Sequence, residues 1–332
     1  ALYVLLALAL SHWQNVRVSF KALLNFQYDL AFIALMVLYL WIVACVVAVQ
    51  ERSSGRDRII CGRSWWTRMR RDYFNLQIGW DALRLLVWIK LMFAIYGSIK
   101  QAIPRLHPGD FDQQMATIDQ WVHLGINPIT AVHAIFAAKP LMLAMDWLYV
   151  AWYGVMAPTL VVFMLSSNRR LHSAFFTCFF LLWIVGGLAA VAVPSLGSIY
   201  VDPQKFEHLY MPTARELQER LWTQYEKVIA NPNDYSVVLY EGIAAFPSLH
   251  VGLIALFACF LFRINKWFAW AMVLYTVIIQ LGSVQLGWHY AVDGYAAIAF
   301  AVLMYLLCRP WINPPKSAPP PGESPHAVQS PA

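Results

Sequence analysis

Long apolar runs alternate with short charged connections along this chain. The runs fall at about residues 28–49, 80–99, 140–166, 174–196, 248–264, 267–286 and 289–308. A helix crossing a bilayer needs about 17–25 mostly apolar residues, and most of these runs have that length. The pattern therefore predicts an all-α fold, a polytopic transmembrane helical bundle of about seven spans. The apolar start, Ala1 to Leu10, is too short to span alone and leaves room for an eighth helix at the N-terminus. Two polar stretches, FDQQMATIDQWVHLG and ARELQERLWTQYEKVIA, repeat apolar residues at three- and four-residue steps. They predict amphipathic helices that lie on the membrane or cap a pocket. Three regions follow: an N-terminal membrane region with a basic loop (1–79), a transmembrane domain carrying the candidate chemistry (80–308), and a tail (309–332). The tail has eight prolines in 24 residues and predicts disorder.

Composition strengthens the membrane reading. Charged residues make up 13 % of the chain and hydrophobic ones 60 %, whereas soluble domains carry about 25 % charged residues. The net charge of +6 is no nucleic-acid footprint, because the cations gather in short loops between apolar runs. The 51–72 loop holds seven arginines, and the turns SSNRRLHS and FRINKW and the start of the tail are also basic. Residues 197–246 instead carry four Lys or Arg against seven Asp or Glu. With seven spans, every basic connection falls on one side, which the positive-inside rule makes cytoplasmic. The segments FPSLH and GWHYAVD then share the extracytoplasmic face. The five cysteines show no paired or metal-type spacing and read as small apolar residues.

Three polar residues stand at the heads of apolar runs: His250, and His289 with Asp293. His289 and Asp293 are four apart, so on a helix they share a face. A carboxylate there accepts a hydrogen bond from one imidazole N–H, which fixes the tautomer and leaves the other nitrogen free as nucleophile or base. His250 opens a different helix at the same face and can meet that pair across a pocket. Ser248, near the same helix start, offers a hydroxyl beside free backbone N–H groups and the positive end of the helix dipole. Taken singly, each has a plainer reading: a structural histidine, an N-cap serine, an aspartate reaching for water. Together they suit phosphoryl transfer through a phosphohistidine, with no metal and no cofactor required. Asp146 lies about two turns inside the third run. It is either a buried helix–helix tie or a pocket residue holding a histidine or an acceptor hydroxyl.

The stretch Pro247-Ser248-Leu249-His250, followed by His289-Tyr290-Ala291-Val292-Asp293, resembles two signatures of the type 2 phosphatidic acid phosphatase superfamily, Pro-Ser-x-His and His-x3-Asp. The wording is most similar to the branch containing inositol phosphorylceramide synthases. The resemblance implies His289 as nucleophile, Asp293 as its partner, His250 as general acid and then base, and Ser248 as a phosphate ligand. Two departures stand out. The superfamily's Ser-Arg slots hold Gly282 and Ser283, and the region AVAVPSLGSIYVDP lacks the Lys and Arg of its first signature. Candidates to replace those cations are Ser198, Tyr200, Lys205, Lys100 and Arg105.

The expected function is cleavage of a lipid phosphate or phosphodiester at the outer leaflet, with water or an alcohol as acceptor. Membrane lipid is the expected partner and nucleic acid is not. Two other classes compete. A transporter would use Asp146, Lys90 and the histidines as an ion path, and would show inverted repeats and broken helices. A metalloenzyme would bind its ion with His250, His289 and Asp293.

Overall fold

The structure, a computed structural model, describes residues 76–107, 110–166, 168–231 and 242–312. Among the described residues eleven α-helices follow in order: α1 (Leu76–Leu106), α2 (Asp112–Val122), α3 (Pro128–Phe136), α4 (Lys139–Val150), α5 (Trp152–Met164), α6 (Arg169–Ala192), α7 (Ser198–Val201), α8 (Pro212–Ala230), α9 (Leu249–Leu261), α10 (Lys266–Gln285) and α11 (Ala291–Ile312). A short 3-10 turn, Pro203–Phe206, follows α7. The described residues contain no strand.

Local chemistry explains several helix starts. Asn127, Asn168 and Asn265 each accept backbone N–H bonds at the head of α3, α6 and α10. An asparagine side chain there satisfies donors that the helix itself leaves open. Pro128, Pro140 and Pro212 sit in the first turn of α3, α4 and α8, where the missing N–H costs nothing. The amphipathic stretches form α2 and α8.

Among the described residues, five helical segments are long and apolar enough to cross a membrane: Gly79–Pro104, Lys139–Met164, Arg169–Ala192, Lys266–Gln285 and Ala291–Ile312. The second joins α4 and α5 across a turn at Ala151. Of the seven runs read from sequence, 28–49 lies outside the described residues, as do the basic 51–72 loop and the tail beyond 312. The 248–264 run forms α9, a helix of 13 residues that is only about 20 Å long at 1.5 Å per residue.

α9 is apolar all round because it is enclosed all round. Val251, Leu253, Ile254, Leu256, Phe257 and Phe260 are all buried, and the helix packs against α5, α6, α10 and α11. A helix with apolar residues on every face belongs in a core. Gly252 sets its distance from α11: a Cβ there would lie 3.1 Å from the Ala297 Cβ. Any larger residue would push the two helices apart.

With α9 counted between α6 and α10, these helices alternate in direction, so the ends sort. Arg169 at the start of α6 bonds Asp81 at the start of α1, at 2.7 Å. At the opposite end, Ala245 before α9 donates to the Ser195 carbonyl after α6, at 2.8 Å. Ile199 of α7 donates to the Gly287 carbonyl after α10. The basic turns before α6 and α10 lie at the first end. α2, α8, the head of α9 and the head of α11 lie at the second.

Candidate active site

The site forms where the first turns of α9 and α11 meet. A backbone tie brings them together: Ser248 N–H donates to the Asp293 carbonyl at 3.1 Å. His289 N–H donates to the Ser283 carbonyl of α10 at 3.2 Å. The His250 and His289 rings lie 6.2 Å apart, centroid to centroid, edge to face. His250 is half-buried and held between aromatic walls, 4.4 Å from the Trp152 ring and 5.2 Å from the Tyr149 ring.

His289 and Asp293 meet in a different way from two residues on one helical face. α11 begins at Ala291, so His289 precedes the helix. Asp293 stands in the first turn, and its Oδ2 accepts the backbone N–H of Tyr290 at 2.9 Å. This is the return half of a capping box. The same Oδ2 lies 3.5 Å from His289 Nδ1, longer than a formed hydrogen bond. Pairs of this kind often close only on substrate. With Nδ1 facing the carboxylate, Nε2 is the nitrogen left for chemistry. Asp293 is fully buried and His289 nearly so.

Ser248 occupies the N-cap position of α9 but makes no capping bond. Its hydroxyl is buried without a partner. The plainer reading of this serine, a helix cap, is not how its hydroxyl is used. The first amides of α9 have no intrahelical acceptor, as at any helix start.

Asp146 is fully buried, and both carboxylate oxygens accept backbone N–H groups of α8: Thr213 at 2.9 Å and Ala214 at 2.8 Å. These bonds tie α4 to α8, which is the helix–helix reading of this residue; they do not hold a histidine. Two further aspartates, unremarked in the sequence, do the same. Asp112 of α2 accepts from Leu196 and Gly197, and Asp119 accepts from Ala291 and Val292, both at 2.8 Å. Asp119 therefore caps α11 from outside, directly after the His289 segment. Burial pushes both carboxyl groups above the ordinary acid range, and the amide donors pull them back. The signal was there to be read: Asp112, Met115 and Asp119 fall on one face of α2, and all three are buried.

The groups suggested for phosphate charge are mostly engaged elsewhere. Ser198 donates to the Gly287 carbonyl, Tyr200 to the Gln218 carbonyl, and Lys205 pairs with Asp202 at 2.7 Å. Ser283, in the arginine slot, donates to the Gln280 carbonyl. Lys100 is half-buried, stands over the Tyr96 ring at 5.9 Å and lines a small pocket with Tyr225 and Gly242. The Arg105 side chain lies outside the described residues. Among the described residues, no three His, Cys, Asp or Glu side chains converge to hold a metal ion.

No curated protein and no solved structure matches the chain. A family model described as the PAP2 superfamily matches residues 113–307, more than half of the chain. The matched stretch contains both histidines, Asp293, Ser248 and the Asp119 clamp. The chain belongs to the PAP2 superfamily, which marks it as a phosphatase-type enzyme.

Proposed function

We propose that this chain is a membrane-embedded lipid phosphatase or phosphotransferase working through a phosphohistidine at the extracytoplasmic face. The observation that carries the proposal is the meeting of the two imidazoles at two helix starts, with a buried carboxylate behind one of them. His289 Nε2 attacks phosphorus, forming an N–P bond as the P–O bond to the lipid alcohol breaks. His250 gives its proton to the departing oxygen. His250 then takes a proton from water or an acceptor alcohol, whose oxygen attacks phosphorus and releases His289. Asp293 holds the His289 ring and steadies its positive charge. Ser248 and the α9 amides receive the phosphoryl oxygens. No step calls for a metal or cofactor.

The basic turns at the opposite end support an outward-facing site. Apolar spans around the site support a lipid substrate. The wording PSLH and HYAVD supports the inositol phosphorylceramide synthase-like branch, and with it an alcohol acceptor. The test is purified protein in detergent, incubated with a panel of lipid phosphates, diphosphates and phosphodiesters, with and without candidate alcohols. Product release that persists in EDTA, falls with orthovanadate and vanishes in His289→Ala is expected. Equal release by His289→Ala would remove the mechanism.

A further inference from the structure

The superfamily's arginine slot holds Ser283, whose hydroxyl is committed to Gln280, so the donors that grip a phosphoryl group must be sought elsewhere. Buried polar atoms without a partner identify them. Tyr149 Oη and Trp288 Nε1 are buried and unpartnered, as is Ser248 Oγ. Native interiors rarely leave such donors unmatched, and those they leave commonly serve function. The positions are specific. The Tyr149 ring packs 5.2 Å from His250 and lies nearly parallel to the Trp288 ring, with 6.2 Å between centroids and 8° between planes. Trp288 is the residue before His289.

We propose that the Tyr149 hydroxyl and the Trp288 indole N–H bind the anion at this site, forming with Ser248 a cradle of neutral donors. The proposal rests on the phosphoryl-transfer reading and adds two ligands to it. Neutral donors in a dry site hold a phosphoryl oxygen strongly, because water does not compete. Phenylalanine would fill the Tyr149 ring's space equally well for packing alone. What tyrosine and tryptophan add is a polar hydrogen, and the free protein spends neither.

The distinguishing property is the split between anion affinity and stability. A structural hydroxyl lowers Tm when removed, whereas a donor waiting for a ligand does not. Orthovanadate binding to the purified full chain in detergent, measured by calorimetry, is compared for wild type, Tyr149→Phe and Trp288→Phe, with Tm and lipid-phosphate turnover alongside. Each variant is expected to bind orthovanadate about tenfold or more weakly, as loss of a hydrogen bond to a charged group implies. Tm in Tyr149→Phe is expected to hold or rise. If Trp288→Phe folds poorly, Tyr149→Phe alone decides. Unchanged affinity in Tyr149→Phe overturns the cradle. So does a fall in Tm with affinity intact, which would assign the hydroxyl to the unpartnered Asp293 Oδ1. A wild type that does not bind orthovanadate overturns it too. Weakened binding in the variants without any wild-type turnover would keep the cradle and remove the reaction; His289-dependent turnover with unchanged binding would do the reverse.

Discussion

Asp119 touches neither histidine, yet removing its charge should disable the site. Its oxygens accept the Ala291 and Val292 amides, both at 2.8 Å, two and three residues after His289. A charge-assisted bond of this kind contributes about 1.5–3 kcal/mol, and an orphaned buried N–H costs about 1–3 kcal/mol. Asp119→Ala orphans two, for a combined cost of about 2–6 kcal/mol by the same figure. Burial already disfavours the carboxylate, which places the net effect in the lower half of that range. Asp119→Asn keeps one acceptor and turns an NH2 toward the other amide, for roughly half the loss. The larger effect is on rate. A shift of His289 by about 1 Å is enough to cost about 10²-fold in turnover. The assay is lipid-phosphate release in detergent with Tm measured on the same samples. We expect kcat to fall about tenfold or more in Asp119→Asn and further in Asp119→Ala, with KM little changed. Asp112→Asn, which loosens the Leu196–Gly197 turn and the Tyr290 hydroxyl but leaves the first amides of α11 held, should be milder. Wild-type kcat in both Asp119 variants would refute the view that this clamp positions the nucleophile.

Two other outcomes follow from geometry. Gly287 holds φ at +77°, and a Cβ there would come within 2.8 Å of Ile199 and Phe206; Gly287→Ala should therefore lower Tm and turnover together, and an unchanged Tm would contradict the packing. His133 donates to the Gln285 carbonyl at 3.1 Å, and burial holds its imidazole below the ordinary 6.5. Because the fold resists protonating it, stability is complete above about pH 6.5 and declines as the pH falls toward the lowered folded value. His133→Gln should flatten that decline in a Tm series, and an equal decline would refute it.

Much of this architecture was legible in the chain. Apolar runs of bilayer length, asparagines before them and prolines in first turns specify helices by local chemistry alone. The two histidine motifs were legible as helix heads because each precedes an apolar run. What the chain concealed was the partner of each polar group. The carboxylates of Asp112, Asp119 and Asp146 bond to amides between 67 and 173 residues away, and amides carry no side-chain signature. A surface helix with a buried acidic stripe looks, letter by letter, like an ordinary amphipathic one. Periodicity misjudged the His289–Asp293 relation for a related reason. Four-residue spacing fits one helical face, but a cap turn brings the same two residues together from outside the helix.

The clamps of Asp119 and Asp146 grip main chain at helix heads, and this frees the side chains of the gripped residues to vary. Thr213 and Val292 are held by their amides, so most replacements there leave the hold intact; proline, lacking the hydrogen, is barred. A saturation scan would show permissive letters at these two positions beside intolerant acids at 119 and 146. Side chains at these helix heads then change while the main chain beside the two histidines keeps its shape.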